Sequence, residues 1–168
     1  MASVRAQLYL ATAADVADLV ALRTAVNEHL AKEHGRGYWL SRPTEKGALF
    51  GMRIAKVYVA RHGKKLVATL TLSTRKPWAI DAKYFTKSER PLYLTNMAVE
   101  PGRQRRGLGR SCIEEARRIA ARWPGDAIRL DAYDAAAGAG EFYRKCGFRE
   151  VGRATYRSAP LIYFEMLV

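Results

Sequence analysis

Four arginines and two glycines stand close enough in sequence to hold a phosphate: Arg103, Arg105, Arg106, Gly107, Gly109 and Arg110. They follow an apolar run that ends at Val99 and precede an amphipathic run that continues to Trp123. A strand, a glycine turn and a helix in that order leave the first N–H groups of the helix unpaired, at the positive end of its dipole. Gly107 and Gly109 let the backbone approach a ligand and take conformations that side chains forbid. Such a turn suits a phosphate, most of all a pyrophosphate. It is not a GxxxxGK[ST] loop. Nor is it GxGxxG, because Gly107-Leu108-Gly109 is followed by Arg110-Ser111-Cys112.

Gln104-x-x-Gly107-x-Gly109 resembles the coenzyme A signature of the GCN5-related N-acetyltransferase (GNAT) superfamily. A second stretch, DAAAGAGEFYRKCGF, resembles that family's N-x-x-A-x-x-F-Y-x-K-x-G-F block after the fifth strand. Ala139, Phe142, Tyr143, Lys145, Gly147 and Phe148 match it, while the family's Asn falls on Ala136. Whatever that Asn holds in relatives must be held differently here.

The resemblance implies acetyl-CoA as cosubstrate. Its pyrophosphate would lie on Gln104, Arg105, Arg106, Gly107, Leu108, Gly109 and Arg110, and its pantetheine arm along Met97 and Val99. The family uses no covalent intermediate, so Cys112 and Cys146 are not needed as nucleophiles. Tyr143 falls where the family's tyrosine faces the coenzyme sulfur. A hydrogen bond that strengthens as the sulfur gains charge is its expected role. A backbone N–H near Met97 is the candidate oxyanion donor. Relatives with an acidic base on the fourth strand carry it six residues before the position of Val99, which here is Tyr93. Strand alternation places Tyr93 on one face with Thr95, Met97 and Val99, with Asn96 and Glu100 on the other. Tyr93 is therefore the candidate that orders a water to take the amine proton.

These residues need a scaffold, and the chain spells one out. AQLYLA (6–11) alternates as a strand, and Thr12 with Asp15 forms a capping box before a helix through Leu30. Pro43 and Thr44 open a shorter helix to about Arg53. VYVAR and LVATLTLS flank a His62-Gly63-Lys64 turn, and LYLTNMAV is the strand before the glycines. A helix from about Arg106 to Trp123 stops at Pro124-Gly125. IRLDAY is the next strand, a helix is expected over Ala135–Cys146, and FREVGRATY and LIYFEML close the chain. This order predicts an α/β fold: a mixed, mostly antiparallel central sheet of about seven strands, with helices on both faces, in a single domain over 1–168.

The loop KPWAIDAKYF offers Trp78, Asp81, Tyr84 and Phe85 as walls of an acceptor pocket, and Tyr38 and Trp39 as further flanks. Arg117, Arg118, Arg122 and Arg129 read as solvated surface. The cysteines read as packed thiols, and His29, His34 and His62 fit no metal pattern. No run reaches the ~20 apolar residues of a membrane span. The N-terminus does not read as a signal peptide, so the cytosol is the expected compartment. The net charge of +13 attracts polyanions without choosing among them. The expected reaction is acetyl transfer from acetyl-CoA to an amine of a small molecule. The alternatives are a macromolecular amine, either a protein N-terminus or an aminoacyl-tRNA, and a coenzyme-binding module without catalysis. A homodimer through the C-terminal strands is a further expectation.

Overall fold

The computed structural model describes residues 5–37 and 40–168; Tyr38 and Trp39 lie outside them. Turn chemistry and apolar periodicity set the elements. The His62–Lys65 turn, with Gly63 at φ +60°, joins β2 (Lys56–His62) to β3 (Lys65–Ser73). A two-residue β1 (Tyr9–Leu10) pairs with β2. Thr12 N–H donates to the Asp15 carboxylate at 2.8 Å, the expected capping box, ahead of α1 (Val16–His34). Thr44 Oγ1 accepts from Gly47 N–H at 3.0 Å and starts α2 (Glu45–Ile54). Then come β4 (Pro91–Val99), α3 (Leu108–Arg122), β5 (Ala127–Tyr133), α4 (Gly140–Lys145), β6 (Arg149–Tyr156) and β7 (Ala159–Leu167).

Among the described residues seven strands form one sheet in the order β1-β2-β3-β4-β5-β7-β6. Only the central β4–β5 pair is parallel. On one face Leu108, Cys112, Ile113, Ala116 and Ala120 of α3 pack on Leu70, Leu72, Leu92, Leu94 and Ile128. On the other, Leu19 and Leu22 of α1, with Met52 of α2 beside them, cover Val57, Val59, Leu66 and Ala98. Each buried Leu, Ile or Val among them contributes about 1.5–3 kcal/mol by leaving water. The mixed α/β sheet with helices on both faces is thus as the sequence predicts.

Three local expectations change. The strand expected over 6–11 pairs only at Tyr9–Leu10. The 135–146 helix shrinks to Gly140–Lys145, because residues 135–139 form a turn closed by Gly138 N–H to Ala135 C=O at 2.9 Å. Arg129 is not surface. It is 4% exposed, faces Glu165 across the β5–β7 ladder and donates to its carboxylate at 3.1 Å. The opposite charge came from a strand that the local sequence does not reveal. The same guanidinium donates to the Thr86 carbonyl at 2.5 Å, and Thr86 N–H donates to Glu165 at 3.3 Å. This buried pair fastens the 74–90 loop to the sheet.

Candidate active site

The arginine- and glycine-rich turn hangs from the end of β4. Gln104 Nε2 donates to the Val99 carbonyl at 3.0 Å, tying the signature glutamine to the strand. Arg105 (φ +60°) and Gly107 (φ +85°) take left-handed conformations, a backbone course that gathers N–H groups into an anion-binding concavity. Helical bonding in α3 starts with Ser111 N–H to Gly107 C=O at 3.0 Å, so the amides of Leu108, Gly109 and Arg110 precede the ladder. A Cβ on Gly109 would stand 3.0 Å from the Phe142 ring, so glycine is what brings the helix start against α4. The exposed side chains of Arg105 and Arg106 have no ion-pair partner among the described residues. Arg103 is engaged by Glu100 at 3.0 Å and Arg110 lies 3.7 Å from Glu114. Lys65, and then Arg103, hold the Glu100 carboxyl below its ordinary range, so Glu100 is a committed ion-pair carboxylate.

A bulge in β4 rearranges the next part. Thr71 pairs with Thr95 and Thr69 with Ala98, so Asn96 and Met97 oppose the single residue Leu70. Asn96 takes φ +54°, and its carbonyl accepts from the Arg23 guanidinium. The bulge breaks the expected alternation. Met97 and Val99 pack with the α3-side core, while Tyr93 joins Ile80, Phe85, Leu161 and Tyr163 on the opposite side. Tyr93 is 4% exposed and its hydroxyl accepts from Arg129 at 3.4 Å, beneath the 74–90 loop. Its expected place, sharing a face with Met97 and Val99, is corrected by that extra residue. β4 and β5 pair from Pro91↔Ala127 to Tyr93↔Arg129 and no further. Beyond that point the parallel strands splay, and the β5-facing edge of β4 from residue 94 to 99 suits an extended amide-bearing arm.

Tyr143 and Asp131 flank this wedge. Tyr143 is 7% exposed, its ring held by Phe142, Phe148 and Phe164 at centroid distances of 5.2, 5.6 and 6.0 Å. Its hydroxyl has no hydrogen-bond partner among the described residues. Burial, then the nearby Asp131 charge, push its pKa well above the ordinary phenol, so it stays a donor. Asp131 lies on β5 two residues past the last β4–β5 pair. It has no cationic partner among the described residues, and burial raises its carboxyl above the usual range. Its charge also reaches the hydroxyls of Tyr133 and Tyr163. Sequence reasoning passed over Asp131, although an acid within the strand run IRLDAY was a visible signal.

A cleft of about 660 Å³ opens on the α1/α2 face, bounded by Arg23, the start of α2, Thr69, Thr71 and Ser73 of β3, Trp78, and Thr95 and Asn96 at the bulge. Of the loop aromatics only Trp78, 83% exposed, lines it. Tyr84 and Phe85 pack on Tyr163 with centroids 5.4 Å away, and Asp81 is held by Lys83 at 3.2 Å. Cys112 is buried, its thiol pushed up to about 12, and burial also raises Cys146; neither is poised as a thiolate. Among the described residues no His, Cys, Asp and Glu group fits a metal ion, and no helix is long and apolar enough to cross a membrane.

Comparisons with known proteins agree with this fold. No curated protein matches the chain in sequence. Solved structures share its fold. They include ribosomal-protein-S18-alanine N-acetyltransferase from Escherichia coli (15% identity, 97% of this chain and 94% of that one, TM-score 0.69). A GNAT acetyltransferase from Listeria monocytogenes aligns at 14% identity over 97% and 95%, with a TM-score of 0.74. A Bacillus subtilis acetyltransferase solved in complex with CoA aligns at 16% identity over 98% of each chain, with a TM-score of 0.65. The family model of the acetyltransferase (GNAT) domain matches residues 53–150, which carry the bulged β4, the glycine turn, the wedge and Tyr143. The chain therefore belongs to the GNAT family of acetyltransferases, enzymes that take their acetyl group from acetyl-CoA.

Proposed function

We propose that the protein acetylates the α-amine of a small molecule by direct transfer from acetyl-CoA. The observation that carries the small-molecule reading is the bounded cleft of about 660 Å³ against the β4 bulge, within the size range of small-ligand sites. The amine nitrogen attacks the thioester carbonyl, forming the N–C bond as the C–S bond breaks. Asp131 takes the amine proton and passes it to water. Tyr143 donates its hydrogen bond to the departing sulfur, and a backbone N–H near Met97 steadies the oxyanion. The turn from Gln104 to Arg110 holds the pyrophosphate, and Met97 and Val99 guide the pantetheine arm.

The α-amine follows from proton chemistry. A carboxylate is a weak base toward an ammonium group, so the acceptor must be close to neutral already. An ε-amine of pKa ~10.4 is neutral in about one molecule in two thousand at pH 7, while an α-amine of ~7.7–8.0 is neutral in roughly a tenth. A second reading, the N-terminal α-amine of a protein, is favoured by the fold neighbour that by its own name acetylates an alanine of ribosomal protein S18. The test is thiol release from acetyl-CoA over matched small α- and ε-amines and N-terminal peptides, with and without tRNA. Small α-amines should react fastest. Faster reaction of peptides would favour the second reading, and a faster ε-amine would overturn the α-amine assignment.

A further inference from the structure

The acceptor cleft and the coenzyme turn carry separate sets of cations. At the turn stand Arg105 and Arg106; across the bulge, on the α1/α2 face, the cleft is lined by Arg23, Arg42, Arg75 and Lys76. Arg23 is spent on the Asn96 carbonyl, and Lys76 donates to the carbonyls of Pro77 and Ile80 at 3.1 and 2.6 Å. The exposed guanidiniums of Arg42 and Arg75 have neither an ion pair nor a hydrogen bond among the described residues. They enter from separate segments, Arg42 ahead of α2 and Arg75 after β3. The other polar lining is hydroxyl or amide, with Thr69, Thr71, Ser73, Thr95 and Asn96 at the β3–β4 side. No carboxylate belongs to the described lining. Of the acids outside the lining, Asp81 is engaged with Lys83, Glu100 with Lys65 and Arg103, and Asp15 and Asp18 with Arg61, while Glu45 at the start of α2 is exposed without an ion pair among the described residues and Asp131 stands on β5 at the wedge.

The charges lining this cleft repel a simple cationic amine on its way to Asp131. It would attract one that brings its own negative charge, and guanidiniums match carboxylates in shape as well as sign. We infer that the acceptor is an anionic amine, carrying a carboxylate a few bonds from the nitrogen, with Arg42 and Arg75 receiving that carboxylate. The inference rests on the acetyl-transfer reading above and deepens it. The transfer itself is unchanged: the N–C bond forms, the C–S bond breaks, and the amine proton leaves through Asp131. The carboxylate must lie beyond the α-carbon, since one bonded there would raise the amine pKa and undo the advantage of an α-amine.

The experiment compares acceptors that differ only in that charge. Glutamic acid α-amide is set against glutaminamide, and Glu-Gly-Gly-amide against Gln-Gly-Gly-amide, following thiol release from acetyl-CoA. Both pairs keep the amine alike, and the second shows whether a peptide is the better carrier. The acid member should be preferred by about five- to twentyfold in kcat/KM, the scale of one or two partly exposed charge pairs. In an Arg42→Gln/Arg75→Gln variant that ratio should fall toward one, with acetyl-CoA affinity unchanged. Equal turnover of the acid and amide members overturns the anionic acceptor and leaves acetyl transfer standing. If neither member reacts, the transfer reading fails for such amines. The inference is then judged by calorimetry of citrate on CoA-saturated protein. Binding lost in the double variant supports an anion site, and equal or absent binding in both overturns it.

Discussion

At the scale of single residues, the proposed transfer separates a donor of protons from an acceptor. Tyr143 sits among three aromatic rings, and burial and the Asp131 charge both raise its pKa. In the proposed transfer its protonated form is the useful one, so the shift extends its working range upward. Turnover in the wild type should show no alkaline fall between about pH 8 and about pH 10, where an ordinary phenol begins to ionise. Tyr143→Phe should lower kcat by roughly ten- to a thousandfold with little change in acetyl-CoA affinity, because the hydrogen bond matters most as charge develops on sulfur. Asp131 works in the opposite sense. Its raised pKa means the basic form is lost at a higher pH than for an ordinary carboxyl, so the rate should fall early on acidification. Asp131→Asn should slow transfer most near neutral pH, and the deficit should narrow on acidification, where the wild type loses its base as well, and again as the pH nears the amine's own pKa. Pre-steady-state and steady-state rates across pH check both. A Tyr143→Phe enzyme with full kcat would leave that ring as packing, and a pH-independent Asp131→Asn deficit would place the proton acceptor elsewhere.

At the scale of elements, the sequence showed most strands and helices, because turn glycines, caps and apolar periods are local signals. The Gln104–Gly109 signature and the Phe142-Tyr143 block were legible for the same reason: each lies within one turn or helix. What stayed hidden depends on partners far away in the chain. Arg129 looked like surface because Glu165 reaches it from another strand. Tyr93 looked aligned with Met97 because a period of two cannot report an inserted residue. The bulge itself is written in one residue, Asn96, at φ +54°. Asparagine enters the left-handed region readily, glycine freely, and a β-branched residue at a cost of about 1–3 kcal/mol. Asn96→Val should therefore either lower stability by that amount or shift β4 by one residue, turning Met97 and Val99 away from the wedge. Asn96→Gly should keep both stability and turnover near wild type. Thermal unfolding with acetyl-CoA titration on both variants is the check, and an unperturbed Asn96→Val protein would mean the bulge is set by β3 and Arg23 instead.

At the scale of the whole molecule, a net charge of +13 has to be divided between a diffuse field and local contacts. A diffuse field would draw in any polyanion and would not depend on one turn. The proposed coenzyme site relies on local contacts. Arg105 and Arg106 stand unpaired beside left-handed backbone and the free amides at the start of α3, whereas Arg61, Arg103, Arg118, Arg144 and Arg153 are tied to acids of the chain. Screening sharpens the distinction. At about 0.1 M salt the Debye length is ~10 Å, so remote charges fade while those touching a phosphate persist until salt is much higher. Acetyl-CoA affinity should weaken roughly five- to tenfold between about 0.05 M and about 0.5 M salt, as two partly exposed pairs are screened. An Arg105→Gln/Arg106→Gln variant should bind more weakly at low salt and lose most of that dependence. Calorimetric Kd values at several salt concentrations make the comparison. If the variant kept the wild-type salt slope, the attraction would belong to the field of the whole protein, and the turn would hold the pyrophosphate through its backbone amides alone.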